Sequence, residues 1–179
     1  PIGHWDVSNV TNINSMFDGA SSFDQPIGNW DVSSVKTMSA TFYNASSFDQ
    51  PIGNWDVSSV TSMNSIFENA SSFNQDLRNW DTSSATDMRD IFNNASSFNH
   101  DISDWNILSV TNFIMPFFNA TSLSDVNKGL IHGTFSKNPN WTTDWSAYVP
   151  APAVLTNANF QTAVDLWCTD KAAAFAAYG

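Results

Sequence analysis

The sequence predicts an α/β repeat solenoid: about five stacked 25-residue coils with short strands and helical turns, then a small C-terminal helical segment. Three observations predict it. Tryptophans fall at Trp5, Trp30, Trp55, Trp80 and Trp105 without slippage, and self-similarity at such a fixed period marks a solenoid or array. Other columns keep the same step: Val10, Val35, Val60, Ala85 and Val110; Phe17, Phe42, Phe67, Phe92 and Phe117; Phe23, Phe48, Phe73, Phe98 and Leu123. Within one copy two periods coexist. Val35, Met38, Phe42 and Ala45 lie at i, i+3, i+7 and i+10, one face of a short helix, whereas Phe48 to Trp55 fits a short extended segment.

Each element follows in order. Asp31 and Ser33 are suitable N-caps for the helical turn. The strands would stack about 4.8 Å apart, setting identical side chains over one another. Pro26 and Pro51 cannot donate to such a ladder, so pairing there must be short or interrupted. Asn29, Asn54 and Asn79, with Asp104 in the fifth copy, precede each tryptophan and read as a structural ladder beside the core residues Trp30, Trp55 and Trp80. Asp6, Asp31, Asp56 and Asp81, with Asn106, read as a second ladder. No copy can bury its face alone, so neighbours must stack.

The copies decay after residue 123. Residues 124–148 break the period and add Trp141, Trp145 and Tyr148, the aromatic content needed to cover the end of a coil stack. Residues 149–155 form a linker by their prolines. In 156–179, Thr156 or Asn157 caps a helix carrying Phe160, Val164 and Trp167, and a second Ala-rich helix follows.

Composition limits function. Hydrophobic residues make up 42% and charged residues 13%, which places the chain among globular proteins. Seventeen acids against six bases leave −11, a charge that repels nucleic acid. No apolar run is long enough to insert into a membrane. One cysteine, Cys168, makes no disulfide framework, and its place beside Trp167 suits a buried inert thiol.

Candidate sites compete with structural readings. Asn44, Asn69, Asn94 and Asn119 are N-glycosylation sequons in register, with Asn9 and Asn140 outside the series. Gly19 occupies the same column in the first copy, and Gly–Asn exchange marks a left-handed C-cap that needs no sugar. His4, His100 and His132 share no motif with a nucleophile, and a repeated acid is more often a turn cap than a general base. No cofactor is expected. The Asp columns offer oxygen ligands for Ca²⁺ but lack a calcium-binding repeat pattern, so no metal is expected. Trp141 and Trp145 form the one pair worth testing for sugar contact, with end-capping the stronger reading. Thr11, Thr61, Thr86 and Thr111 form a hydroxyl array that Lys36 interrupts.

The phrase "FDQPIGNWDVSSVTSMNSIFENASSF", repeated across residues 1–123, resembles the 25-residue repeats of BspA-type leucine-rich-repeat surface proteins, and "LSDVNKGLIHGTFSKNPNWTTDWSAYV" looks like that family's closing segment. The resemblance implies a leucine-rich-repeat-like, right-handed coil stack on a cell surface or outside a cell, tied to adhesion and without catalytic residues. It also implies that the tail is the helical segment preceding an array. Joining Gly179 to Pro1 gives "AAYGPIGHWDVSNV", which completes that pattern. The expectation is a non-enzymatic structural unit stacking head-to-tail with copies of itself, with Phe160, Trp167, Phe175 and Tyr178 meeting Ile2 and Trp5 of the next. A fragment cut at a convenient point is the equal alternative for the seam. The alternative function is an adhesin module binding a host surface protein or glycan through one face.

Overall fold

Between Ile13 and Ala20 the main-chain hydrogen bonds alternate in direction. The N–H groups of Ile13, Ser15, Phe17 and Gly19 donate to the carbonyls of Thr37, Ser39, Thr41 and Tyr43, one repeat ahead. Those of Met16, Asp18 and Ala20 turn back to carbonyls three residues earlier. The computed structural model, which describes residues 2–149, 156 and 159–178 (Tyr178 by its backbone), repeats this alternation in successive coils. We number the coils 1 to 5 from Ile2, Ile27, Ile52, Leu77 and Ile102.

This pattern overturns the expected α/β solenoid and with it the leucine-rich-repeat-like coil. Among the described residues there is no strand, and none of residues 2–123 is helical. A helix needs every N–H to reach back four residues and φ to stay negative. Here φ is +44° to +54° at Ser15, Ala40, Ser65, Asp90 and Met115, and +55° to +71° at Gly19, Asn44, Asn69, Asn94 and Asn119. Two left-handed residues per coil turn the expected helix into successive tight turns. The expected strand fails for another reason. The Asp49 N–H goes to the Asp24 side chain instead of a neighbouring main chain, and Pro51 has no N–H. Parallel pairing shrinks to isolated bridges between Asn12, Thr37, Ser62, Asp87 and Asn112.

The side-chain columns nonetheless stack. Phe42, Phe48, Phe67, Phe73, Phe92 and Phe98 are fully buried. Within a coil, Phe67 and Phe73 lie parallel with centroids 3.9 Å apart; between coils, Phe42 and Phe67 lie 5.7 Å apart. Each such ring contributes about 1.5–3 kcal/mol by burial, with roughly 0.5–1.5 kcal/mol more per favourable ring pair. Trp30 and Trp55 stack at 6.5 Å and 1°, and each indole N–H also ties two coils together. Trp30 donates to the Ile2 carbonyl, Trp55 to Ile27, Trp80 to Ile52 and Trp105 to Leu77, at 2.9–3.2 Å. The core therefore carries both its own apolar filling and polar cross-links.

After coil 5 the chain becomes helical. Ser124 caps α1 (Asp125–Phe135) by accepting the Asn127 N–H. Phe135 and Trp141 then cover the end of the stack, Phe113 meeting Trp141 edge-on at 5.4 Å. Asn138, buried, donates through Nδ2 to the carbonyls of Ile107 and Val110. Within 124–148, expected as a closing segment, the helix α1 contains Gly129 and Gly133 and has no counterpart among the elements expected there.

The tail forms α2 (Phe160–Thr169) and α3 (Lys171–Tyr178). Asn159, rather than Thr156 or Asn157, occupies the α2 N-cap position, and its side chain accepts from the Thr156 N–H. Asn157, residues 150–155 of the expected linker, and the Gly179–Pro1 seam lie outside the described residues. Phe175 of α3 packs on α1 at Gly129, where a Cβ would collide with the Tyr148 carbonyl and sit 2.7 Å from the Phe175 ring. Among the described residues no helix is long and apolar enough to cross a membrane.

Candidate functional site

Several polar columns run along the coils. The hydroxyls of Thr61, Thr86 and Thr111 and of Ser46, Ser71, Ser96 and Thr121 each donate to a carbonyl one coil back, and three Asp/Asn columns have tasks of their own. Asp31 forms a local turn: its Oδ1 accepts the Ser33 hydroxyl at 2.6 Å and the Ser33 N–H at 3.1 Å. These bonds, the hydroxyl first, hold the Asp31 carboxyl below its ordinary range, and Asp6 and Asp81 are lowered in the same way. Among the described residues the side chains of this column bond within their own coil.

The bridging column is Asp24, Asp49, Asn74 and Asn99. Each Oδ1 accepts the main-chain N–H of the residue 25 positions on: Asp49, Asn74, Asn99 and Ser124. Gln50 and Gln75 add amide bonds to the same oxygens of Asp24 and Asp49. Asn29, Asn54 and Asn79, where the ladder was expected, are exposed and make no hydrogen bond among the described residues. The missed column has its own signal, an acceptor type in every copy followed by Gln or His.

The sequon column forms an amide chain. Asn94 Nδ2 donates to Asn69 Oδ1 and Asn119 Nδ2 to Asn94 Oδ1, both at 2.9 Å. All four asparagines also take left-handed φ. An N-linked sugar would replace one of the two Nδ2 hydrogens, so a modified Asn94 or Asn119 would have a single N–H left for this amide chain. Asn9 and Asn140 are exposed; Asn140 Nδ2 donates to the Val110 carbonyl.

The expected inter-unit residues divide into two sets. Trp5 is 49% exposed, and Ile2 is partly buried with its carbonyl on Trp30. Phe160, Val164 and Trp167 line one side of α2 and are exposed. Phe175 instead is buried within its own chain, and Lys171 ties α3 to coil 5 through Asp104 at 2.8 Å and the Ser103 hydroxyl at 3.0 Å. The Tyr178 side chain lies outside the described residues. Cys168, expected to be buried, is exposed, because α2 packs through Ala163 and leaves this side uncovered.

Two concavities flank the last coil. A polar one of about 340 Å³ lies between coils 4–5 and the α2–α3 junction, where Lys171 already pairs the carboxylates. The other, about 410 Å³, lies between Met115–Asn119 and Thr142, Thr143 and Trp145. It has no charged side chain in its lining. Coil 5 departs from its predecessors here: Ile114, Met115 and Phe118 replace Arg89, Asp90 and Asn93 of coil 4 and are 53–58% exposed. Trp141 and Trp145 meet at 5.7 Å, and His132 Nδ1 accepts from the Trp141 indole N–H and the Trp145 main-chain N–H. Trp141 covers coil 5, while Trp145 also reaches the cavity. Among the described residues no group of three or more His, Cys, Asp or Glu is placed to hold a metal ion.

The sequence profile of the family described as "Mycoplasma protein of unknown function, DUF285" matches residues 1–80 and again 51–140. The chain belongs to this family. The two matches begin 50 residues apart (1 and 51), two repeats, so the profile aligns twice on the same register. No curated protein matches the chain, and no solved structure does.

Proposed function

We propose that this DUF285 chain is a non-enzymatic structural repeat protein, acting outside a cell or on its surface and stacking head-to-tail with its own copies. The observation that carries the reading is the double use of the tryptophan column, in which rings stack and each indole N–H binds the preceding coil. Such cross-linking resists both bending and slippage between coils, the properties a spacer needs. The placement outside the cell rests on the resemblance of the repeats to BspA-type surface proteins.

Two features support stacking. Phe160, Val164 and Trp167 present an apolar stripe on α2, and coil 1 presents the exposed indole of Trp5 together with partly buried Ile2, Val10 and Phe17. Burying these surfaces together would contribute on the order of 25 cal/mol per Å² of apolar area. The contact uses α2 alone, since Phe175 is already engaged. Sedimentation over a range of concentrations, with electron micrographs, tests the reading. Growth of linear particles that F160S/W167S abolishes is the expected outcome; a chain that stays monomeric at every concentration overturns it.

A further inference from the structure

In coils 1 to 4 one edge of each coil is a row of N–H donors, and the next coil always supplies amide carbonyls to it. Ser65, Phe67 and Asn69 donate to Arg89, Ile91 and Asn93; Asp90, Phe92 and Asn94 donate to Ile114, Pro116 and Phe118. On coil 5 the same edge is Met115, Phe117 and Asn119, and among the described residues their N–H groups have no acceptor. The closing segment meets the Phe117 ring of this edge through Trp141 and Trp145 but, among the described residues, supplies no acceptor to its N–H groups. The 410 Å³ cavity is the space left there.

We propose that this cavity is a binding site for a neutral acetamido sugar. Four observations carry the assignment. Its donors are a set that the rest of the molecule pairs only with amide carbonyls, so an acetamido carbonyl is the matching acceptor. Its walls are apolar on one side, Met115, Phe118 and Trp145, which suits the acetyl methyl and one face of a pyranose ring. Its rim is polar but uncharged: the Thr142 and Thr143 hydroxyls make no hydrogen bond among the described residues, and Asn119 uses its Nδ2 on Asn94, leaving Oδ1 for a sugar hydroxyl. The absence of lining charge, in a chain of net charge −11, disfavours an anion at the same N–H groups.

The backbone gives independent support. Met115 has φ +44° at a position that holds Ser, Ala, Ser and Asp in the earlier coils. An unbranched but bulky apolar side chain in the left-handed region carries a conformational cost, and such costs gather at binding sites. The substitution also brings Met115 out to 56% exposure beside the cavity. The site does not depend on head-to-tail stacking, because its donors, walls and rim all belong to one chain.

The test is titration of the full chain with the trimer of N-acetylglucosamine, followed by amide proton–nitrogen shifts and tryptophan fluorescence. Saturable binding that moves the Met115, Phe117 and Asn119 amides is expected. Maltotriose, which has the rings without the acetamido groups, should bind roughly tenfold more weakly, the worth of about one hydrogen bond. Met115→Ser, which restores the residue of coils 1 and 3, and Phe118→Ser should each weaken binding by about as much while leaving the Phe67 region of the spectrum unchanged. Equal affinity for the two trimers overturns the proposal. So does tighter binding of inorganic phosphate, acetate or a capped alanine peptide, or saturation that moves amides elsewhere.

Discussion

Coil 3 and coil 5 share a register, a tryptophan and the same pair of left-handed positions, yet they behave as different surfaces. In coil 3 the N–H row of Ser65, Phe67 and Asn69 is fully paired and the outer positions are Asn64, Ser65 and Glu68. In coil 5 the corresponding row is open and the outer positions are Ile114, Met115 and Phe118. What separates them is the neighbour, not the backbone. A repeat is inert while another repeat completes it and becomes a recognition edge where the series stops.

The comparison can be broken most severely in the core. Phe67→Ala should cost about 3–5 kcal/mol by denaturant unfolding, because the ring is fully buried between Phe42, Phe73 and Phe92. Phe117→Ala, at the end of the same column, should cost less, since the closing segment can settle onto the gap. Equal losses would mean that coil 5 is held as tightly as coil 3.

Indole cross-linking is the next largest effect. Trp80→Phe keeps a ring but removes one of two donors from the Ile52 carbonyl, which retains the Trp55 N–H, a loss of about 0.5–1.5 kcal/mol. Trp5→Phe removes a donor that has no partner among the described residues and should stay within about 0.5 kcal/mol. Thermal unfolding of the two variants side by side checks the difference.

A milder prediction concerns the tail. Gly129→Ala should undock α3, seen as faster amide exchange over 171–177 with residues 27–100 unchanged, because the new methyl meets both the Tyr148 carbonyl and Phe175. Lys171→Ala should give a weaker version of the same change, its partly exposed ion pair being worth about 0–1 kcal/mol.

How much of this was legible in the residues can be argued position by position. The register and the buried tryptophans follow from spacing alone, because a residue type recurring every 25 positions inside a stack meets its own copy. The turn-built backbone does not follow. Val35, Met38, Phe42 and Ala45 fit one helix face, but consecutive tight turns place the same residues inward at the same spacing. Gly19 exchanging with Asn44 did signal one left-handed position; Ser15, Ala40, Ser65 and Asp90 share no such signature, so the second was invisible. Without it, the helix was the natural reading. The ladder was misplaced from Asp24 to Asn29 because both columns carry side-chain acceptors and only the coil-to-coil geometry separates them. The cavity at coil 5 has a trace in the residues, Ile114, Met115 and Phe118 where Arg89, Asp90 and Asn93 stand one coil earlier, but three apolar side chains do not by themselves say that the space beside them is open.

The smallest expected effect is one of pH. The Asp6, Asp31 and Asp81 carboxyls sit below the ordinary value near 3.8 in the folded chain. Their stabilisation is therefore present above that value and is lost as pH falls through the lower folded one. The variant D6N/D31N/D81N should flatten the acid limb of a stability–pH curve. Its turns should survive, since Asn106 already plays the part in coil 5 by accepting the Leu108 N–H.

Trp80 reaches back 28 positions and the Asn74 N–H back 25, while the Phe67 N–H reaches forward 24. These links skip no neighbour, so none of them records how many coils lie between the two ends of the stack. Excising residues 52–76 would bring Leu77 behind Pro51 with the same classes of partner restored, whereas excising one residue fewer would misalign all of them at once. Length in this protein is consequently a whole-number quantity: it can change by a repeat at little cost and by a single residue hardly at all.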